Sequence, residues 1–225
     1  MNTSQTINLK PLSINEILDK QFLILNYQRG YRWTRQQVEQ LLNDIDAFNP
    51  REIKGDPGRK TFYCLQPVVL KKYEANSIGE RDLDGEWYEV VDGQQRLTTI
   101  FLILKYINEF RTGRQQKPMF KIDYQTRENC VGFLQSIKVN EDDVTVAINK
   151  KYIDFYYISK AYETIGDWKI NYESTYGQPF DDAGFQSKFL SSSKIIWYEV
   201  GQDEDSIELF ERLNLGKIPL TNAEL

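Results

Sequence analysis

Histidine is absent from this 225-residue chain, and cysteine occurs only twice. Without histidine there can be no Ser-His-Asp triad and no histidine-dependent nuclease chemistry, and most zinc sites are excluded. Cys64 and Cys130 stand alone, without the paired spacing of a metal site. Long apolar runs are also missing. The longest, Ile100 to Leu104, is far too short to cross a bilayer, and the opening MNTSQTINLK lacks the apolar core of a signal peptide. A cytoplasmic protein with no membrane partner is expected. Nor is there an excess of positive charge: 28 basic against 33 acidic residues leave a net charge of -5. That balance excludes a non-specific nucleic-acid coat and confines any DNA contact to a local patch. The length allows one large domain, or a domain with a subdomain, and an ample core.

What is present is concentrated in VVDGQQRLTTIFLI, Val90 to Ile103. An apolar strand runs into an Asp-Gly turn, two glutamines and an arginine, and then a helix too apolar for the surface. Such a junction builds a phosphate site, because a helix N-terminus offers free backbone N–H groups and partial positive charge, to which Arg96 adds a fixed one.

Helix and strand signals flank this element. Ser13 with Glu16 forms a capping box, with Leu12 and Ile17 as a hydrophobic staple, and predicts a short helix from Ile14 to about Lys20. Thr34 and Gln37 repeat the pattern, and Val38, Leu41, Leu42, Ile45 and Phe48 follow at helical spacing until Asn49-Pro50. Residues 49–60 read as a solvated loop. TFYCLQPVVLKK, 61–72, reads as a strand whose Pro67 calls for an edge position or a bulge. Residues 74–85 are a polar connection, and 86–91 form the next strand.

The second half is mainly helical by pattern. Residues 150–165 carry more aromatic surface than one helix face can hide, which fits helix-on-helix packing or, alternatively, a base-stacking face. Residues 185–190 resemble a helix end, 194–200 a strand, and Asp205 with Glu208 opens a capped helix through Leu213. Thr221 with Glu224 opens another helix one turn before Leu225, so the chain is expected to be the N-terminal part of a longer protein. The division expected is a core over 1–110 and a mainly helical subdomain over 111–225 with one strand at 194–200.

Several candidate residues admit two readings. Asp92 is either a ligand-facing carboxylate or the N-cap of the buried helix, closed by Gln95, with Gly93 as turn chemistry. Arg96 must find an anion, either an internal carboxylate or a ligand phosphate. Thr98 and Thr99 can bond within their own helix. In NYQRGYRWT, Arg29, Arg32 and Arg35 lie three apart among Tyr27, Tyr31 and Trp33. Either this is a phosphate-plus-base surface, or the aromatics plug the core while the arginines pair with acids such as Asp44 or Glu39. Gln28 and Arg29 precede the capped helix and are the better ligand candidates. The acids Asp203, Glu204, Asp205, Glu208 and Glu211 either hold a cation or favour a helix N-terminus.

YQRGYRW with its following LLNDI helix, VVDGQQRLTT, and LFERLNLGKIPL stand in that order. This succession resembles the DGQQR-motif N-terminal domain of GmrSD-type modification-dependent restriction enzymes and of the SspE effector of phosphorothioate-linked phage defence. A more distant likeness is to ParB-type partition proteins. The resemblance implies an α/β (α+β) fold, with a ParB/sulfiredoxin-like core and a mainly helical extension.

It further implies binding and Mg²⁺-dependent hydrolysis of a nucleoside triphosphate, GTP or ATP, in an antiphage restriction protein. Modified phage DNA and a C-terminal nuclease domain or partner subunit are the implied partners, and self-association is left open. The matching positions are Gln28 and Arg29, then Asp92, Gly93, Gln94, Gln95 and Arg96, with Asn214 and Gly216 in the third motif. Arg96 and the helix N-terminus would hold phosphates, Asp92 would hold Mg²⁺ or orient water, and Gln94 or Gln95 would position that water. Gln28, Arg29, Gly93 and Asn214 would complete the nucleotide site, and Arg32 and Arg35 would face DNA. Gln66-Pro67 departs from the glycine that the resemblance implies for many relatives at that place, so a pocket wall is expected to differ. The competing readings are a nucleotide or modified-DNA binding module without turnover, and a small-molecule phosphotransferase. A sulfiredoxin-like reaction is disfavoured, since the turn has neither cysteine nor histidine.

Overall fold

A computed structural model of the chain describes residues 8–74, 83–111, 116–139 and 147–215. The expected helix at Thr221, Gly216 and the turn around Pro219 lie outside the described residues. In chain order the elements are β1 (Asn8–Ser13), β2 (Gln21–Ile24), α1 (Arg35–Ala47), β3 (Glu52–Ile53), β4 (Asp56–Lys60), β5 (Tyr63–Lys72), β6 (Tyr88–Asp92) and α2 (Gln94–Glu109). They continue with β7 (Lys121–Tyr124), α3 (Cys130–Ser136), α4 (Ile153–Ile170), α5 (Tyr172–Tyr176), α6 (Asp182–Ser187), β8 (Ser193–Val200) and α7 (Ser206–Leu215).

Six strands form one mixed sheet in the order β1-β8-β5-β6-β2-β7, so the fold is α+β. The β8–β5, β6–β2 and β2–β7 pairs are parallel, while β1–β8 and β5–β6 are antiparallel. β5 lies inside the sheet rather than at its edge. Pro67 is accommodated there by a register shift between Cys64 and Pro67, with Gln66 in the left-handed region at φ 67°. A proline has no N–H to give the ladder, so an interior strand accepts it only at such a bulge.

Several expectations are corrected. The capping box at Ser13 forms, with the Ser13 N–H and Oγ both donating to Glu16 Oε2 at 2.8 and 2.6 Å. It opens only a 3-10 turn, Ile14–Ile17, because the chain must enter β2 at Gln21. Residues 49–60 contain the hairpin β3–β4, since a backbone ladder needs no apolar side chains. The region beyond residue 110 supplies two strands to the sheet, β7 and β8, where one was expected; β7 is four residues long, too short to display an alternation.

α1, α2 and α4 form the helical layer, with α4 packed against both of the others. Val38, Leu42 and Ile45 of α1 and Leu97, Ile100 and Leu104 of α2 are almost wholly buried, each contributing about 1.5–3 kcal/mol. The aromatic helix α4 follows the packing alternative: Phe155 and Tyr162 are buried, Tyr156 and Tyr157 half-buried. The Tyr162 hydroxyl donates to Glu109 of α2. No described helix is long and apolar enough to cross a membrane.

Candidate functional site

The β6–α2 junction turns at Gly93, which has φ 102° and is the N-cap of α2. A Cβ there would stand 3.1 Å from Val68 Cγ2 and 3.2 Å from Val68 Cα, so both the conformation and the packing demand glycine. Asp92 is the last residue of β6, and the N-cap position itself is glycine, which has no side chain to offer the helix. The first turn of this 16-residue helix, with its N–H groups and partial positive charge, lines the space above the junction.

The glutamines do not point into that space as a pair. Gln94 Nε2 donates to the Arg29 carbonyl at 2.5 Å, and Gln95 Nε2 to the Gly30 carbonyl at 3.2 Å. Gln95 Oε1 accepts from the Arg32 N–H at 2.8 Å. Gln95 is thus engaged at both ends, which removes it as a capping partner for Asp92. Gln28 is also buried, and its amide donates to the Val90 carbonyl of β6. The YQR and DGQQR segments are consequently one structure, joined by glutamine side chains to backbone carbonyls. Gln28 Oε1, Gln94 Oε1 and Arg96 Nε are buried with no hydrogen-bond partner among the described residues.

Arg96 stands one turn into α2. Its Nη1 donates to Gln66 Oε1 at 2.9 Å and its Nη2 to the Pro67 carbonyl at 2.5 Å, while Asp92 Oδ2 lies 3.7 Å from Nη2. Burial pulls the guanidinium below its ordinary pKa, and Asp92 opposes that shift. The bulge of β5 is what presents these two oxygens. Gln66, in the left-handed conformation of that bulge, thus holds the arginine in place.

Above the turn lies a cleft of about 600 Å³, lined by Gln28, Arg29, Asp92 through Arg96, and the aromatic rings of Tyr27, Trp33 and Phe210. Arg29 is exposed, and its guanidinium has no partner among the described residues. Tyr27 donates to Glu89 Oε1 at 2.7 Å and meets the Phe210 ring edge-on at 5.5 Å. Burial and the Glu89 carboxylate raise the Tyr27 pKa, so the phenol stays protonated. A second cleft of about 460 Å³ lies on the other side of Trp33 and Arg96, towards Gln37, Asp44, Tyr63 and Cys64. Phe210 was not among the residues singled out from sequence, although it belongs to the LFERLNLGKIPL segment. Its place here brings the third motif to the other two. Asn214 falls in α7, but its side chain lies outside the described residues.

The other arginines of the first motif are paired with acids, Arg32 turned towards a buried one and Arg35 at the surface. Arg32 Nη1 donates to the Tyr31 carbonyl at 2.6 Å, stands 3.8 Å from Asp154 Oδ1, and its guanidinium lies over the Tyr157 ring. Arg35 pairs with Glu39 at 2.7 Å and with Asp167 at 3.0 Å. Tyr31 is fully buried and bonded to Thr99, so this segment takes the packed alternative at those positions. Thr98 and Thr99 also donate to Gln94 and Gln95 carbonyls within α2. Asp154, buried on α4 and 2.5 Å from Arg127, is a charged residue that sequence reading passed over. The acidic run serves α7: Asp205 Oδ1 accepts from the N–H groups of Ile207 and Glu208 at 2.8 and 2.9 Å, and Glu204 pairs with Arg212. Among the described residues no group of three metal-ligating side chains could hold an ion.

No curated protein matches this chain. The family described as GmrSD restriction endonuclease, N-terminal domain, matches residues 14–225, a span that contains every element of the cleft. The chain therefore belongs to the GmrSD restriction endonuclease N-terminal domain family.

Proposed function

We propose that this domain binds a nucleoside triphosphate in the Asp92–Arg96 cleft and hydrolyses it, as the nucleotide-responsive part of an antiphage restriction protein that acts on modified DNA. The observation that carries the proposal is the pairing of two guanidiniums, Arg29 and Arg96, with the glycine-led N-terminus of α2 in a cleft walled by Tyr27, Trp33 and Phe210. Cations and helix N–H groups suit phosphates, and aromatic faces suit a base.

Mg²⁺ is held in such sites by one or two carboxylates together with phosphate oxygens and water. Asp92 supplies one carboxylate at the cleft, and no group of three side chains placed to hold a metal stands among the described residues. This donor set fits an ion brought in with the nucleotide, held by Asp92. When bound, Mg²⁺ would neutralise charge on the phosphates. Arg96, fixed by Gln66 and Pro67, and Arg29 bind the phosphate oxygens. Gln94 keeps an unpartnered amide oxygen and is the glutamine that can orient the attacking water, whereas Gln95 positions the YQR loop. The cleft is a second-row choice for catalysis in one respect: the 3.7 Å Asp92–Arg96 contact must loosen for Asp92 to take up an ion, which favours binding without turnover as the second reading.

The deciding experiment offers the four nucleoside triphosphates with Mg²⁺ and follows both binding and phosphate release. Turnover is expected for the unaltered chain and its loss, with binding and folding kept, for Asp92→Asn. Undiminished turnover in that variant would remove Asp92 from the chemistry. Binding without any release would establish the second reading.

A further inference from the structure

Among the described residues, the β3–β4 hairpin is an element whose side chains stay almost wholly exposed. Residues 51–60 are exposed except for a half-buried Ile53. The ribbon is fastened at its base, where the Thr61 N–H donates to the Arg51 carbonyl at 2.8 Å and the Arg51 N–H to Thr61 Oγ1 at 2.9 Å. A two-stranded ribbon with no apolar face to bury is only marginally stable alone. What it presents is charge. Arg51, Lys54, Arg59 and Lys60 stand within it against Glu52 and Asp56. Arg59 lies 3.4 Å from Asp56, while Arg51, Lys54 and Lys60 make no ion pair among the described residues. Lys54 sits at the tip, beside Gly55 with φ 89°.

The chain as a whole carries -5, so a polyanion is repelled from most of its surface and attracted at this projection. In the other basic segment Arg32 and Arg35 already pair with Asp154, Glu39 and Asp167, and Arg29 lines the cleft above α2. The shape adds a second argument. The major groove of duplex DNA admits a two-stranded β-ribbon, and the family to which the chain belongs acts in restriction.

We propose that the β3–β4 hairpin is a duplex-DNA contact, with Arg51, Lys54 and Lys60 neutralising backbone phosphates on either side of a groove. Contacts of this kind hold and orient the duplex and carry no base preference themselves. The assignment draws on the family's DNA substrate and is independent of nucleotide hydrolysis.

The test is a salt titration of duplex binding by fluorescence anisotropy. It compares the unaltered chain with a variant carrying Arg51→Gln, Lys54→Gln and Lys60→Gln, with an unmodified labelled duplex as the probe. In the variant, the plot of log affinity against log salt should be shallower by about 0.9 for each phosphate contact removed, and affinity at low salt should fall by roughly tenfold or more. Nucleotide turnover, read in the same preparations, should be the same in both proteins. Equal slopes, or no duplex binding by the unaltered chain, would overturn the proposal. So would a loss confined to a polyglutamate probe with duplex binding intact, which would make the ribbon a contact for an acidic protein. Loss of duplex binding where neither protein turns over nucleotide would uphold the hairpin and reject the hydrolytic reading.

Discussion

Gly30 lies so close to Asp154 that a Cβ at position 30 would stand 2.4 Å from Asp154 Oδ2. The buried carboxylate on α4 therefore rests on the backbone of the YQR loop from one side, while Gln94 and Gln95 hold the Arg29 and Gly30 carbonyls from the other. Asp154 also receives Arg127 at 2.5 Å, which fixes it in place. Gly30→Ala should push the loop and the carboxylate apart at a cost of about 1–3 kcal/mol. Because the same loop carries Arg29, nucleotide affinity should fall alongside. Chemical denaturation and a binding titration measure the two effects, and a variant unchanged in both would mean that the contact relaxes without consequence.

The strand-turn-helix at Val90–Ile103, the Thr34–Gln37 cap of α1, the strand at β8 and the Asp205 cap of α7 were all legible, because each is written in neighbouring residues. The three motifs announced a shared site only through their resemblance to a family. Nothing local says that Phe210 meets Tyr27, or that an aspartate in an aromatic helix braces a glycine more than a hundred positions earlier. β2 and β7 escaped because a strand of four residues, three of them buried, has no readable period, and β3–β4 escaped because hydrophilic ribbons and loops share a composition. What a sequence hides here is mostly what tertiary pairing decides.

Gln95 spans the two motifs with both ends of its amide, so its role is distinguishable from that of Gln94. Gln95→Ala removes hydrogen bonds to the Arg32 N–H and the Gly30 carbonyl, each worth about 0.5–1.5 kcal/mol. The YQR loop should loosen, raising the KM for nucleotide more than it lowers kcat. Gln94→Ala should instead lower kcat most, if its amide oxygen orients water. Steady-state kinetics on the two variants separates them, and the reverse pattern would exchange their roles.

The two cysteines should differ sharply. Cys130 is buried, and desolvation followed by the nearby Asp123 charge raises its thiol to about 12, whereas Cys64 is exposed at the second cleft. A disulfide reagent at mildly alkaline pH should modify Cys64 in the folded chain and reach Cys130 only on unfolding. The raised value also carries a sign for stability. The unfolded thiol ionises near 9.0 and the folded one near 12, so this contribution is complete below about pH 9 and is lost as the pH rises between those values. Cys130→Ala should lessen the alkaline fall of the unfolding midpoint; an unaltered slope would locate that fall in other groups.

Gln66 joins a strained backbone to the arginine of the site. At φ 67° a side chain costs roughly 1–2 kcal/mol, which Gln66→Gly would relieve. The same change deletes the Oε1 atom that accepts from Arg96 Nη1, leaving the guanidinium to the Pro67 carbonyl and Asp92. Relief of strain and the greater freedom of an unfolded glycine act in opposite directions, so stability should move by less than about 1 kcal/mol. Arg96, however, should drift toward Asp92, tightening the ion pair that has to loosen for phosphate and Mg²⁺ to enter. Nucleotide affinity should then fall severalfold in a protein that is as stable as before. Calorimetric titration read beside equilibrium unfolding checks this pairing of outcomes. Unchanged affinity would show that the Pro67 carbonyl alone is enough to aim Arg96, and that the glutamine is no part of the phosphate grip.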